Sequence, residues 1–115
     1  MPLVSVRSGV SIERSNGKEL MEGLSAAVAD ELGKPEQYVM VELQGARMLM
    51  SGEPGPAAAV DVRSIGGLDR ETNGRLAERI SDLLQSHLGV ERRRVYVVFT
   101  SVSGESWAWN GRTFR

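Results

Sequence analysis

A proline directly after Met1 is the first residue in this chain whose type could do chemistry. A small second residue such as Pro2 permits removal of the methionine, which would leave a free secondary amine. An α-amino group has a reference pKa of ~7.7–8, nearer neutrality than any lysine. Burial and a neighbouring cation would lower it further and leave a neutral base at pH 7. On Met-Pro alone, a proline that merely begins a strand is the more economical reading, because its missing N–H is harmless there. Lys34 stands between a Leu-Gly helix end and Pro35, where a cation also simply complements the helix dipole. Ser64-Ile65-Gly66-Gly67 could offer strand-end N–H groups to an anion, or form a plain turn; it lacks the spacing of a nucleotide loop. His87, the one histidine, falls on a helical apolar stripe near a helix end, where packing or dipole complementation accounts for it. Glu19/Glu22 and Asp30/Glu31 sit on the polar side of the first helical pattern, where solvation explains them. Arg92-Arg93-Arg94 precedes a strand and reads as a cap on the helix-to-strand turn. Trp107, Trp109 and Phe114 gather where chain ends usually fray, so three large aromatics there imply docking onto a pocket or a neighbouring subunit.

Composition closes off several other chemistries. The 115 residues carry 14 Lys+Arg against 15 Asp+Glu, a formal net charge of −1, so no basic excess favours a nucleic-acid backbone. The absence of cysteine removes disulfide scaffolds, thiolate zinc sites, Cys nucleophiles and dithiol redox chemistry together. A histidine metal cage or a Ser-His-Asp arrangement would rest on His87 alone. No apolar run approaches the ~18 residues of a membrane span and no signal-peptide core is present, so the expected compartment is cytoplasmic, with leaderless secretion left open.

The elements that must position these residues follow from periodicity. Leu3–Val6 reads as a strand. Asn16-Gly17 is expected as a turn and possible helix cap, followed by a helix with the stripe Leu20, Met21, Leu24, Ala27, Val28 and Leu32, ended by Gly33 and Pro35. Tyr38–Leu43 is a second strand, and 44–56 is loop with a possible short strand at Met48-Leu49-Met50. Ala57–Ile65 is a third strand. Asp69 caps a second helix with the stripe Leu76, Ile80, Leu83, Leu84 and Leu88, which Gly89 ends. Val95–Phe99 is a fourth strand and Trp107–Trp109 a weaker last one. Both helices end in Leu-Gly, and both are followed by strands that look aromatic-led, Tyr38-Val39-Met40-Val41 and Tyr96-Val97-Val98. This is an α+β, two-layer β-α-β-β-α-β pseudo-repeat, a single domain over 1–115 with two helices on one face of a four-stranded sheet. Because β-α-β strands are parallel, Pro2 and the 33–38 link share a sheet edge. If the second unit runs antiparallel to the first, Ser64 and Ile65 reach that edge as well.

Taken together, Met1-Pro2, Gly33-Lys34-Pro35-Glu36-Gln37-Tyr38, Ser64-Ile65-Gly66, Arg94-Val95-Tyr96 and Trp109-Asn110-Gly111-Arg112-Thr113-Phe114 resemble the macrophage migration inhibitory factor family of the tautomerase superfamily, in order across essentially the whole chain. The resemblance implies a homotrimer with active sites between subunits and keto–enol tautomerisation of phenylpyruvate-type α-keto acids. It implies Pro2 as the proton-shuttling base, and Lys34 with the Ser64-Ile65 strand end holding the substrate's polar end. Tyr38, Trp109 and Phe114 would be aromatic walls and Tyr96 a pocket tyrosine from a neighbouring subunit. Neither metal nor organic cofactor is implied, and the implied partners are a small α-keto acid or its enol and two further copies of the chain, without nucleic acid or membrane.

Two departures qualify the resemblance. Val98 stands where several members carry asparagine, which puts ring-hydroxyl selectivity in doubt. Pro56-Ala57-Ala58-Ala59-Val60 lacks both cysteines of the family's Cys-x-x-Cys element, so no thiol–disulfide activity transfers. Two alternatives stay open. One is a cytokine-like or interaction protein without catalysis. The other is a proline-dependent dehalogenase- or decarboxylase-like reaction, in which Arg63 or the Arg92–Arg94 run would clamp a carboxylate.

Overall fold

Alternation along the first strand places Pro2, Val4, Val6 and Ser8 on a buried face, with Leu3, Ser5 and Arg7 on the other. This is a computed structural model, and it describes residues 1–12 and 14–115. The elements run β1 (Pro2–Ser8), α1 (Arg14–Leu32), β2 (Met40–Gly45), β3 (Ala58–Ser64), α2 (Arg70–Leu88), β4 (Val95–Ser101), β5 (Ala108–Trp109) and β6 (Arg112–Thr113). Short 3-10 turns at Glu36–Tyr38, Arg92–Arg94 and Gly104–Ser106 join them. The four long strands lie in the order β2-β1-β3-β4. β1 pairs parallel with β2 and antiparallel with β3, and β3 pairs parallel with β4. Leu20, Leu24, Ala27 and Val28 of α1 and Leu76, Ile80 and Leu84 of α2 bury against Val4, Val6, Val60 and Val62. The expected two-helix, four-stranded layer pair is what forms.

The helix stripes hold, but several boundaries shift. Asn16-Gly17 is not a turn: both residues lie inside the first turns of α1. A Cβ on Gly17 would stand 2.8 Å from Ile12 Cγ2, so the glycine serves a close approach rather than a reversal. The second strand begins at Met40 rather than Tyr38, which ends a 3-10 turn. Met48-Leu49-Met50 makes no strand. It contributes one bridge, Met50 to Glu53, across Ser51 and Gly52 at φ 58° and 73°. The last strand is half of a hairpin, β5 with β6, turning at Asn110-Gly111.

Element spacing matches the two halves differently from the aromatic-led match expected from sequence. Gly33 and Gly89 both take left-handed conformations, φ 63° and 68°, at equivalent helix ends. The 3-10 turns 36–38 and 92–94 follow at the same distance. Tyr38 is therefore the counterpart of Arg94, not of Tyr96, and Tyr96 is the counterpart of Met40. The tyrosines coincide in type and not in place.

Candidate active site

Register alone brings the first site residues together. Pro2 faces Ser64 across β1 and β3, and Leu3 faces Met40 across β1 and β2. The start of β1, the end of β3 and the link entering β2 therefore meet at one sheet edge. Lys34 reaches that edge from the end of α1. Its N–H donates to Ala29 O at 3.0 Å and the Gly33 N–H to Asp30 O at 3.3 Å, which turns the chain out of the helix axis. Pro35 then holds φ −62° and starts the 3-10 turn that carries Tyr38.

Two adjoining clefts result. One, of about 290 Å³, is bordered by Met1, Lys34, Pro35, Tyr38, Ile65 and Phe114. The other, of about 360 Å³, has Met1, Pro2, Tyr38, Met40, Trp109 and Phe114 among the residues that line it. Met1, Tyr38 and Phe114 border both. The rings of Tyr38 and Trp109 meet edge to face at 6.1 Å. Phe114 is held by its N–H, which lies 3.1 Å from both Gly104 O and Trp107 O. The C-terminal aromatics thus dock on the cleft, one of the two destinations their clustering allowed.

Electrostatics disfavour the ammonium form of the terminal amine here. The Met1 ammonium titrates below its ordinary value, first because burial strips it of water and second because the Lys34 ammonium repels it. Pro2 itself is fully buried. Among the described residues no carboxylate forms a salt bridge with Lys34, so its charge is available to a ligand. Positive charge, a weakened base and an apolar aromatic wall lie together. That combination suits a proton moved between carbon and oxygen on an anionic, partly apolar substrate.

Not every candidate reaches the clefts. Ser64 is buried and its hydroxyl donates to Gly66 O at 2.7 Å, so it shapes the 64–67 turn and borders neither cleft. Gly66 and Gly67 complete that turn at φ 74° and 82°. Tyr96 is 68% exposed on β4, with β3 between it and β1, and it borders neither cleft of its own chain. Val98 is exposed on the same strand face. His87 Nδ1 lies 3.9 Å from Glu19 Oε2 between the helices, a structural position.

Other residues do more than their composition announced. Asp30 and Glu31 are not simply solvated: Arg79 contacts both, and Arg75 donates to Glu31 at 3.0 Å, which ties α1 to α2. Of the arginine run, Arg92 pairs with Asp82 and Arg93 with Glu91. Arg94 donates to Pro56 O at 2.7 Å and Glu53 O at 3.0 Å, with Met50 O at 3.4 Å. No side-chain pattern could have signalled those last partners, because all three are backbone carbonyls.

Comparison with known proteins places this arrangement. The sequence profile described as macrophage migration inhibitory factor (MIF) matches residues 1–115. A macrophage migration inhibitory factor homolog of Brugia malayi is 31% identical over 99% of both chains. The crystal structure of a Prochlorococcus marinus homologue is 35% identical, covers 98% of this chain and 99% of its own, and superposes with a TM-score of 0.93. A fused 4-OT, described as a wild-type symmetric trimer, shares the fold at a TM-score of 0.87 and 24% identity, over 97% of this chain and 95% of that one. With the profile spanning every residue and the cleft built from the same ordered segments, the chain belongs to the macrophage migration inhibitory factor family.

Proposed function

We propose that this chain is a keto–enol tautomerase of phenylpyruvate-type α-keto acids, working after Met1 is removed and as a homotrimer. The observation that carries this reading is the meeting of the β1 start, Lys34, Ile65 and the Tyr38–Trp109–Phe114 wall at one sheet edge. The freed Pro2 nitrogen takes a proton from the carbon beside the substrate's carbonyl while the electron pair moves to oxygen. It then returns the proton to that oxygen, and the reverse path ketonises an enol. Lys34 holds the carboxylate and opposes the charge that develops on the enolate. The aromatic wall receives the phenyl group and keeps water from the amine. Tyr96, exposed and remote within its own chain, would enter a neighbouring subunit's cleft, and the trimeric state of the fused 4-OT supports that assembly.

The arginine-clamp alternative has little support from the fold. β4 begins beside Ala58, at the far end of β3 from the Ser64–Pro2 pair, and Arg92, Arg93 and Arg94 are all engaged there. Only Arg63, paired with Leu3 in the sheet, is near the cleft end.

The test compares preparations with and without Met1, verified by intact mass, in a phenylpyruvate assay. Removal of Met1 is expected to raise turnover by about 10²–10⁴-fold, the range of a positioned acid–base group. The processed protein's kcat/KM should rise with pH through a single ionisation below ~7.7–8 and then level off, because Pro2 is buried and the new amine would stand at the sheet edge that Lys34 borders, both of which disfavour an ammonium. Equal turnover with and without Met1 would return Pro2 to the role of a residue that starts a strand.

A further inference from the structure

Three Asn-Gly pairs occur in this chain, at 16–17, 73–74 and 110–111. An asparagine side chain followed by glycine is open to attack by the next backbone nitrogen, since glycine has no Cβ to hinder it. The fold treats the three pairs differently. Gly17 is buried in α1 and crowded by Ile12 and Leu43. Asn73 lies in α2, its N–H donating to Asp69 O at 2.8 Å and its side-chain oxygen buried. Asn110 and Gly111 are exposed at the tip of the β5–β6 hairpin. Both have positive φ, 53° and 77°, and nothing stands within 4 Å of where a Gly111 Cβ would be.

We propose that Asn110 is a spontaneous deamidation site, and that its conversion to isoaspartate dismantles the aromatic wall of the cleft. In the first step the Gly111 backbone nitrogen attacks Asn110 Cγ. A C–N bond forms, the side-chain amide C–N bond breaks, and ammonia leaves with the Gly111 N–H proton. Water then opens the cyclic imide at either carbonyl, giving aspartate or isoaspartate. The attack needs the turn to open. Between the turn and the Phe114 N–H bond to Trp107 O, the hairpin has two strand pairs, Ala108 with Thr113 and Trp109 with Arg112, and it lies near the chain terminus.

The consequence for the cleft follows from what flanks the turn. Trp109, immediately before Asn110, is the ring packed on Tyr38, and Phe114 follows β6. Isoaspartate lengthens the backbone inside a two-residue turn, so the Trp109–Arg112 pairing loses its register. Either product also adds a negative charge beside a cleft that, on the reading above, takes an anion. Only this last effect rests on that reading.

The test ages the full chain in warm, mildly alkaline buffer and follows each asparagine by peptide mass mapping, with isoaspartyl methyltransferase labelling for the iso form. Tryptophan fluorescence, which Trp107 and Trp109 alone report, follows the wall independently of turnover. Asn110 should convert roughly tenfold or more faster than Asn16 and Asn73, since exposed turns open far more readily than packed helices. Fluorescence should shift in step with isoaspartate formation at Asn110. Asn110→Gly tolerates the positive φ and removes the amide, and it should show neither change. Conversion at Asn16 or Asn73 as fast as at Asn110 would overturn the proposal, as would an Asn110 that stays intact. So would isoaspartate formation at Asn110 with unaltered fluorescence. None of these readouts requires the protein to be a tautomerase.

Discussion

The two β-α-β halves share a frame and end in opposite ways. In the first half, Lys34 follows the helix-ending Gly33 and lies half-buried at the cleft. In the second, Val90 follows Gly89 and is fully buried in the core. Tyr38 closes the first 3-10 turn with its ring against Trp109, while Arg94 closes the second with its guanidinium on three carbonyls of the 50–56 loop. The first sheet end joins a cation to an aromatic wall, while at the second a groove of about 650 Å³ runs along Gly9, Arg47, Met48 and Pro56 and Arg94 is bound to loop carbonyls. A pseudo-repeat therefore supplies two equivalent ends, and side chains at matched positions decide which one becomes a site.

Exchanging those matched residues should break the comparison with very unequal effects. Val90→Lys places an unpaired ammonium where no water reaches, and should destabilise the fold by about 3–5 kcal/mol, read as a lower urea midpoint. The reverse exchange, Lys34→Val, removes a half-exposed cation without a carboxylate partner and should leave the urea midpoint almost unchanged. Its cost should appear in phenylpyruvate kcat/KM, a loss of about 1.5–3 kcal/mol or roughly 10–150-fold. Unchanged kcat/KM would return Lys34 to the role of a helix-end cation.

What could be read from sequence divides along the same line. The stripes of Leu20, Leu24 and Val28 and of Leu76, Ile80 and Leu84 announce both helices, because burial on one face imposes its own period. The meeting of Pro2, Lys34 and Ile65 at one edge follows from the parallel rule and an antiparallel pairing of the halves. Arg94 was illegible, since its partners are backbone atoms about forty residues away in a loop without periodicity. The terminal hairpin was legible in principle, because Asn110-Gly111 between short runs is a hairpin signal that the stronger aromatic cluster obscured. Tyr96 shows the limit of matching by residue type, since two tyrosines in similar strands occupy different places in the repeat.

Arg94→Ala tests whether that side chain fixes the 50–56 loop at the second end. The freed carbonyls of Met50, Glu53 and Pro56 regain water, so the net cost should be only about 1 kcal/mol. Amide exchange should quicken across 50–56 and not at the cleft, with phenylpyruvate turnover unchanged. Altered turnover would mean that the two ends communicate through the sheet.

The smallest expected effect concerns the bridge between the halves. α1 supplies Asp30 and Glu31 and α2 supplies Arg75 and Arg79. Glu31 titrates below its ordinary value of 4.5, chiefly through the hydrogen bond from Arg75 and then that from Arg79. Asp69 is also lowered, first by the Thr72 N–H that it caps. A carboxyl that binds its proton less readily in the folded chain than in the unfolded one stabilises the fold above the ordinary carboxylate pKa. That contribution fades as pH falls through the lowered folded value, because the unfolded chain takes up its protons first. The urea midpoint should therefore hold from neutral pH down to about pH 5 and decline below the carboxylate range. Glu31→Gln should lower the neutral-pH midpoint slightly and flatten part of the acid decline, and Asp69→Asn, which keeps a cap acceptor, should remove another part. An acid decline that is equally steep in Glu31→Gln would mean that the inter-helix pairs are screened at the surface, leaving the two helices joined by their apolar stripes alone.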